Sequence, residues 1–332
     1  MTSAAPIRWG LMATGGIAHT FARDLLGHVP DAKLVAVGSR SQASADAFGD
    51  EFGVPNRHGS YAALAQDPEV DAIYVSPPHP FHRDAALLAI EAGKAVLLEK
   101  PFTMDLPSST ELVDAARSAG VLLVEAMWTR FLPTMVRVRE ILDAGTLGSI
   151  VYLTAEHGQW FPDDASHRLF APSLGGGALL DLGIYPISFA HMVLGEPSRI
   201  TAVSDPAFTG VDATTSAVLQ YPGGAHAVVT TSLAAASDNP AVIYGTEARL
   251  ELEGWFYTPT SFRVVSRHGT VLESYDPPAG GRGMEHEAIE VDRCLREGLT
   301  ESPLMPLAET LAVMATMDEI RRQIGLTYPT ER

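Results

Sequence analysis

The chain has a single cysteine, Cys294, in 332 residues. No intramolecular disulfide can form, and neither a Cys nucleophile nor a Cys-based metal site is signalled. The surrounding Val-Asp-Arg-Cys-Leu-Arg reads as helix, which makes Cys294 a half-buried structural thiol. The opening Met-Thr-Ser-Ala-Ala-Pro lacks a basic region followed by an apolar one, so no signal peptide is expected. No run approaches the roughly 20 apolar residues that span a bilayer. The expected compartment is the cytoplasm. Positive charge is scarce: 23 Lys and Arg stand against 40 Asp and Glu, a formal charge of −17. Such a field repels nucleic acid and anionic lipid, so neither is an expected partner. The histidines form no His-x-x-x-His or Glu-x-x-His pair on one helix, and no catalytic metal is expected.

What is present is globular. Apolar residues make up 46% of the chain, with 29 Gly and 23 Pro to form turns. The length fits about two domains of ~150 residues. In the first half, short apolar runs at 7–12, 33–38, 72–75, 95–98 and 121–125 alternate with helical patterns at 17–26, 42–51, 82–92 and 108–118. Strands alternating with helices imply right-handed βαβ units and a parallel sheet. After about residue 150 the rhythm changes. Strand candidates at 150–156, 200–203, 215–221, 227–233, 242–252, 262–266 and 270–273 follow one another with little helix between them. That pattern fits a large, mostly antiparallel open sheet. Helices return at 285–297 and 307–324.

The first turn reads Gly10-Leu-Met-Ala13-Thr14-Gly15-Gly16-Ile17-Ala18. It follows a strand and opens a helix, where backbone can approach a pyrophosphate whose charge rests on the helix N-terminus. Aligned on G-x-G-x-x-G/A, Ala13 replaces the first Gly. The second strand ends in Gly38-Ser39-Arg40-Ser41. An NAD site usually carries an acid there, for the ribose hydroxyls. Arg40 instead presents a planar fork suited to a phosphate, which favours NADP over NAD. A solvated charge at a helix start is the other reading of Arg40.

Together these motifs resemble the family of glucose-fructose oxidoreductase and inositol dehydrogenase. Ser76-Pro77-Pro78-His79-Pro80-Phe81-His82 resembles its third-strand loop, and Glu99-Lys100-Pro101 its E-K-P hallmark. Gly175-Gly-Gly-Ala-Leu-Leu-Asp181-Leu-Gly-Ile-Tyr185 resembles its second active-site segment. Within the family, Glu125-Ala-Met-Trp128-Thr-Arg130-Phe, Gly283-Met-Glu-His-Glu287 and Glu301-Ser-Pro-Leu-Met-Pro-Leu-Ala-Glu309 look like the dimeric dihydrodiol dehydrogenase branch, which includes NADP-linked D-xylose dehydrogenases. Tyr185, where many members have His, also points to that branch.

The resemblance implies an α/β fold. An N-terminal Rossmann domain with a parallel sheet would span 1–130. An α+β domain with the open sheet would span 131–332, for substrate binding and oligomerisation, with the terminal helices free to pack back on the first domain. It implies a cofactor site of Ala13, Thr14, Gly15, Gly16, Ile17, Ser39, Arg40, Ser76, Pro77, His79, His82, Glu99, Lys100, Trp128 and Arg130. It implies a substrate site of Lys100, Trp128, His157, Arg168, Asp181 and Tyr185. A cis peptide before Pro101 and a homodimer or higher homo-oligomer through the C-terminal sheet are implied as well.

Chemistry singles out Lys100, Tyr185 and Asp181 as catalytic. Hydride transfer from an alcohol also needs a base for the hydroxyl proton. Tyr is a poor base at its free pKa of about 10, and a nearby Lys ammonium lowers that value. Asp181 either bonds substrate hydroxyls or orients Lys100. Three readings follow: an NADP-dependent dehydrogenase or reductase of a sugar, cyclic polyol or trans-dihydrodiol; a sugar ketoreductase of a biosynthetic pathway; and a non-catalytic NADP-binding sensor.

Overall fold

In a computed structural model, residues 5–329 are described. The first four residues, part of the opening segment expected to carry no signal peptide, lie outside them. Strand β1 (Ile7–Met12) leads into helix α1 (Gly16–His28), followed by β2 (Ala32–Gly38) and α2 (Gln42–Phe52). Next come β3 (Asn56–His58), α3 (Tyr61–Ala65), β4 (Ala72–Val75), α4 (His82–Glu91), β5 (Ala95–Glu99), α5 (Leu106–Ala119) and β6 (Leu123–Ala126). These six strands form one wholly parallel sheet in the order β3-β2-β1-β4-β5-β6. β4 and β5 are buried at every position, as a sheet covered on both faces requires. The order reverses between β1 and β4, the switch point where such sheets open a ligand crevice beyond the strand C-termini.

β3 and α3 were not anticipated from the sequence. β3 is only three residues, Asn-Arg-His, at the sheet edge, with no apolar alternation to betray it. α3 is one short turn that Ser60 caps by accepting the Ala63 N–H.

The chain continues through α6 (Pro133–Asp143), β7 (Ile150–Gly158), α7 (Ile184–Leu194), β8 (Arg199–Pro206), β9 (Asp212–Gln220) and β10 (His226–Ser232). It ends with β11 (Ala241–Gly245), β12 (Ala248–Leu252), β13 (Phe262–Ser266), β14 (Val271–Tyr275), α8 (Glu285–Glu297) and α9 (Leu307–Ile324). The second sheet has eight strands in the order β14-β13-β12-β11-β7-β10-β9-β8. All its pairs are antiparallel except β7 with β10. The run 242–252, expected as one strand, is the hairpin of β11 and β12. Its turn falls after Gly245, whose Cβ would lie 2.0 Å from the Leu147 carbonyl oxygen.

Two compact units result. One comprises the chain up to Trp128 with Gly280–Thr310, so it includes α8; the other comprises Thr129–Ala279 and the chain from Leu311 on. In the second unit, Leu153, Ala155, Ala217, Leu219, Ala227 and Val229 are all buried, and β7 and β10 pack this face against α7. The alternate residues Tyr152, Thr154, Val218, Val228 and Tyr244 stay part-exposed on the opposite face. Contrary to the sequence expectation, one segment is long and apolar enough to cross a membrane: the 23 residues Pro172–Leu194. Of its apolar window, 83% is buried inside the protein, which makes it a core element. Cys294 is likewise fully buried rather than half-buried, and burial pushes its thiol up to about 12.

Candidate active site

Each unit carries its own group of the candidate residues. In the first, β1 delivers the chain into the turn 13–15. Ala13 takes a left-handed φ of 92°, the conformation for which the motif places glycine. Gly15 precedes α1 with no side-chain cap on the helix, and a Cβ at Gly15 or Gly16 would meet nothing within 4 Å. The α1 N–H groups are therefore open to an external acceptor, the requirement for holding a pyrophosphate. Ile17 beside them is 40% exposed. Thr14 Oγ1 lies 3.4 Å from Ser39 Oγ, joining this turn to the end of β2. Arg40 is exposed, its guanidinium 5.9 Å from the Phe81 ring centre. These residues fit a dinucleotide: glycine backbone at a helix start, with hydroxyls and an exposed cation beside it.

Ser76 closes the switch point. Its N–H donates to the Met12 carbonyl at 3.0 Å, and its hydroxyl donates to the same oxygen at 3.4 Å. His79 is buried and stands edge-on to His82 at 5.6 Å. The His82 ring lies between two carbonyls, Pro77 and Pro101, each at 2.8 Å. Burial pushes its pKa to about 4, so the ring is neutral and donates to one of the two at a time. His82 thus clamps the loop after β4 to the loop after β5, instead of presenting a donor to the groove. Pro77 contributes its carbonyl to that clamp.

Glu99 ends β5 and is turned inward. The Tyr74 hydroxyl donates to one carboxylate oxygen, and the Lys100 N–H donates to the other at 3.1 Å. Behind it, Glu287 on α8 is fully buried, and among the described residues neither carboxyl oxygen has a hydrogen-bond partner. Burial, then the nearby Glu99, pushes Glu287 well above the usual carboxylate range, so it holds its proton. Lys100 itself is half-buried just past the strand, before a cis bond to Pro101. Trp128 is buried two residues after β6.

In the second unit, Asp181 sits in a π-helical turn, Leu179–Gly183, that runs directly into α7, where Tyr185 is the second residue. Pro186 accounts for the wide turn: it lacks the N–H that would bond the Leu182 carbonyl, and its ring would clash there. Arg168 forms a two-pronged pair with Asp181, at 3.0 and 3.2 Å, so these two candidates do meet. The Arg168 side chain is 52% exposed, whereas Asp181 is buried. His157, at the end of β7, is buried against the edge of the Tyr185 ring at 5.1 Å and stacked on Tyr257 at 4.0 Å. Arg130 is buried, with Nη1 donating to the Ser188 carbonyl of α7 at 3.0 Å, a bond that braces the helix.

Sequence reasoning missed Tyr257 and Gln159. The Gln159 amide donates to His157 Nε2 at 2.9 Å and to the Tyr257 hydroxyl at 3.2 Å. With the amide so oriented, His157 accepts at Nε2 and carries its proton at Nδ1. The signal for Tyr257 was the aromatic triplet Trp255-Phe256-Tyr257 in an otherwise polar loop. Gln159 carried none, since its role depends on a neighbour 98 residues away.

Comparisons with known proteins agree with this fold. Residues 7–127 match the model of an oxidoreductase family with an NAD-binding Rossmann fold, and residues 135–251 match the GFO/IDH/MocA C-terminal domain. The chain is 39% identical to trans-1,2-dihydrobenzene-1,2-diol dehydrogenase of Mus musculus, over 98% of this chain and 99% of that one. The Homo sapiens enzyme of the same name is 37% identical, with the same coverage. Among solved structures, a 3-ketoreductase from Actinomadura kijaniata, in complex with NADP and TDP-benzene, is 29% identical with a TM-score of 0.84, over 96% of this chain and 98% of that one. An aldose-aldose oxidoreductase from Caulobacter crescentus shares the fold, at 22% identity and a TM-score of 0.87 over 96% and 97% of the two chains.

Proposed function

The chain belongs to the GFO/IDH/MocA oxidoreductase family, and from that premise we propose that it is a cytoplasmic NADP-dependent enzyme that moves a hydride between the nicotinamide and a carbon of a sugar, cyclic polyol or trans-dihydrodiol. Tyr185 is the acid–base group and Lys100 its partner. The observation that carries this reading is the setting of Tyr185: a phenol walled by His157 and Tyr257, on the same buried segment as Asp181 with its Arg168 pair. The full-length likeness to dihydrodiol dehydrogenases supports the substrate class.

Helix α1 and the Gly15–Gly16 backbone would hold the pyrophosphate, and Ser39 and Arg40 the 2′-phosphate. When bound, the nicotinamide accepts or donates the hydride. Tyr185 takes the hydroxyl proton in oxidation and returns it in reduction. Lys100 holds the reacting oxygen and favours proton loss from the phenol. Asp181 accepts from substrate hydroxyls, while Arg168 keeps its carboxylate oriented. The exposed face of the second sheet joins two copies of the chain in a homodimer.

Purified protein, NADP and a panel of aldoses, cyclic polyols and trans-dihydrodiols, followed at the nicotinamide absorbance, test the reading. Turnover should be faster with NADP than with NAD; a clear preference for NAD removes the role given to Arg40. Tyr185→Phe and Lys100→Met should each lower turnover by ~10² or more while cofactor still binds. Near-normal turnover in either variant refutes the role of that residue. Activity confined to ketosugars would favour a biosynthetic ketoreductase, the reading that the Actinomadura kijaniata structure supports. Tight cofactor binding without turnover would identify a sensor.

A further inference from the structure

We propose that Asp212 is a positioning residue for the hydride-transfer site: from the first residue of β9 it anchors the buried start of the segment that carries Asp181 and Tyr185. The role given to Asp212 rests on the assignment of Tyr185 as the acid–base group. Residues 175–191 are buried without interruption. A buried helix start leaves N–H groups that water cannot reach, and each needs an acceptor. Ala178 opens the π turn and has no side-chain oxygen to supply one. Asp212 does so from 33 residues away, its Oδ2 accepting the Leu179 N–H at 2.8 Å and the Thr215 hydroxyl at 2.8 Å.

The surroundings fit this carboxylate closely. Gly177 has a φ of 116°, and a Cβ on it would lie 2.1 Å from Asp212 Oδ1. The Tyr328 hydroxyl donates to the Gly176 carbonyl at 2.7 Å, so the C-terminal segment grips the preceding peptide. Arg321 lies over the Tyr328 ring at 5.0 Å. Arg321 and Tyr328 are the charged and titratable groups facing Asp212; the Arg321 charge favours ionised Asp212, and the Tyr328 hydroxyl is held neutral by burial. Anchor, grip and glycine therefore converge on residues 176–179, two to nine positions ahead of Asp181 and Tyr185.

A titration accompanies the geometry. Burial pushes the Asp212 carboxyl up to about 7. Among the described residues Asp212 Oδ1 has no hydrogen-bond partner, so it can take the proton while Oδ2 goes on accepting from the Leu179 N–H and the Thr215 hydroxyl. Opening the segment returns the carboxyl to water and its ordinary value of about 4, so the closed form holds the proton more tightly. The closed segment is therefore firmest on the acid side and loses stability as the pH rises toward and through about 7. An Asn at this position keeps an acceptor but does not titrate.

Two variants and two readouts test this. Asp212→Ala should lower kcat by about tenfold or more, with KM and Kd for NADP changed less than about twofold. It should also lower hydrogen-exchange protection in residues 176–188 by about tenfold, leaving the Rossmann unit unchanged. Asp212→Asn, which mimics the protonated acid, should keep wild-type protection and kcat at pH 6 within about threefold. It should lack the loss of protection that wild type shows as the pH rises from 6 to 8. Wild-type protection and kcat in Asp212→Ala would overturn the proposal, as would the same loss of protection toward pH 8 in Asp212→Asn. Should the Ala variant fail to fold, the pH dependence of Asp212→Asn decides alone. If wild type turns over no substrate of the panel, the hydride-transfer reading falls, and the exchange measurement still decides whether Asp212 anchors the segment.

Discussion

At the scale of single residues, Ala13 shows how far a motif can be read. The sequence revealed that the first glycine of the turn was missing, but not what the substitution does to the backbone. Ala13 nevertheless adopts the glycine conformation, at φ 92°. A left-handed conformation costs an L-residue with a side chain roughly 1–2 kcal/mol. The side chain is buried, so the strain is held by the surrounding sheet. Ala13→Gly should remove that strain, and even after the added freedom of the unfolded chain the net gain is expected to be about 0.5–1 kcal/mol. Thermal unfolding of the two proteins checks this. A lower midpoint for the glycine variant would show that the positive φ carries no cost here. Lys100, Asp181 and Tyr185 stood out for a different reason: each lies in a segment that resembles a family motif. Arg130 shows the limit of a letter: the sequence reads it as a cofactor-site cation, and only the fold shows its guanidinium buried and donating to Ser188 of α7.

At the scale of elements, the parallel half was the easier to read. Apart from β3, its strands are short and largely apolar and buried, and helices separate them, so their boundaries carried turn signals. The eight-stranded sheet was legible as alternation, yet the β11–β12 hairpin merged into one run because Gly245-Thr246-Glu247-Ala248 holds no Asn-Gly or Pro break. Helix α8 hid something more. Within the first unit its inner face buries Glu287 and Asp292, which read in sequence as ordinary charges. Glu287 is neutral in the folded protein and ionised in the unfolded chain near pH 7, since its folded pKa lies well above the usual value. The unfolded state therefore gains on the folded state as the pH rises above about 4.5, the free-chain value. Glu287→Gln has no charge in either state. The expected result is a higher unfolding midpoint than wild type at pH 8, with the difference shrinking toward pH 4. Equal midpoints across that range would mean that Glu287 is ionised in the fold, with a partner that compensates it.

At the scale of the whole molecule, the open sheet poses the remaining question. One face is filled by α7 and the apolar residues beneath it. The other carries Tyr152, stacked between Tyr244 at 4.2 Å and His226 at 5.8 Å, with Val218 and Val228, each 37% exposed, on the neighbouring strands. Val203 on β8 is 68% exposed on the same face. Alternation in the sequence showed that the strands had two unlike faces, but not that the second stayed uncovered within one chain. Exposed apolar and aromatic side chains of this kind, interleaved with Thr154, Ser216 and Thr230, are what the face proposed to join two copies presents on an otherwise acidic protein. The formal charge of −17 makes the patch more informative, because self-repulsion opposes any contact that lacks apolar burial. Two copies meeting through this face would bury the aromatic row at the centre, where truncations and charges cost most. Tyr152→Glu combined with Val228→Glu puts two like charges there on adjacent strands, at positions that are part-exposed in the single chain. Light scattering should give twice the chain mass for wild type and the mass of one chain for the double variant. The unfolding midpoint of the isolated variant should become independent of protein concentration, whereas that of a dimer rises with it. A wild-type protein that runs at the mass of one chain at every concentration would leave this face without a second copy and refute the association.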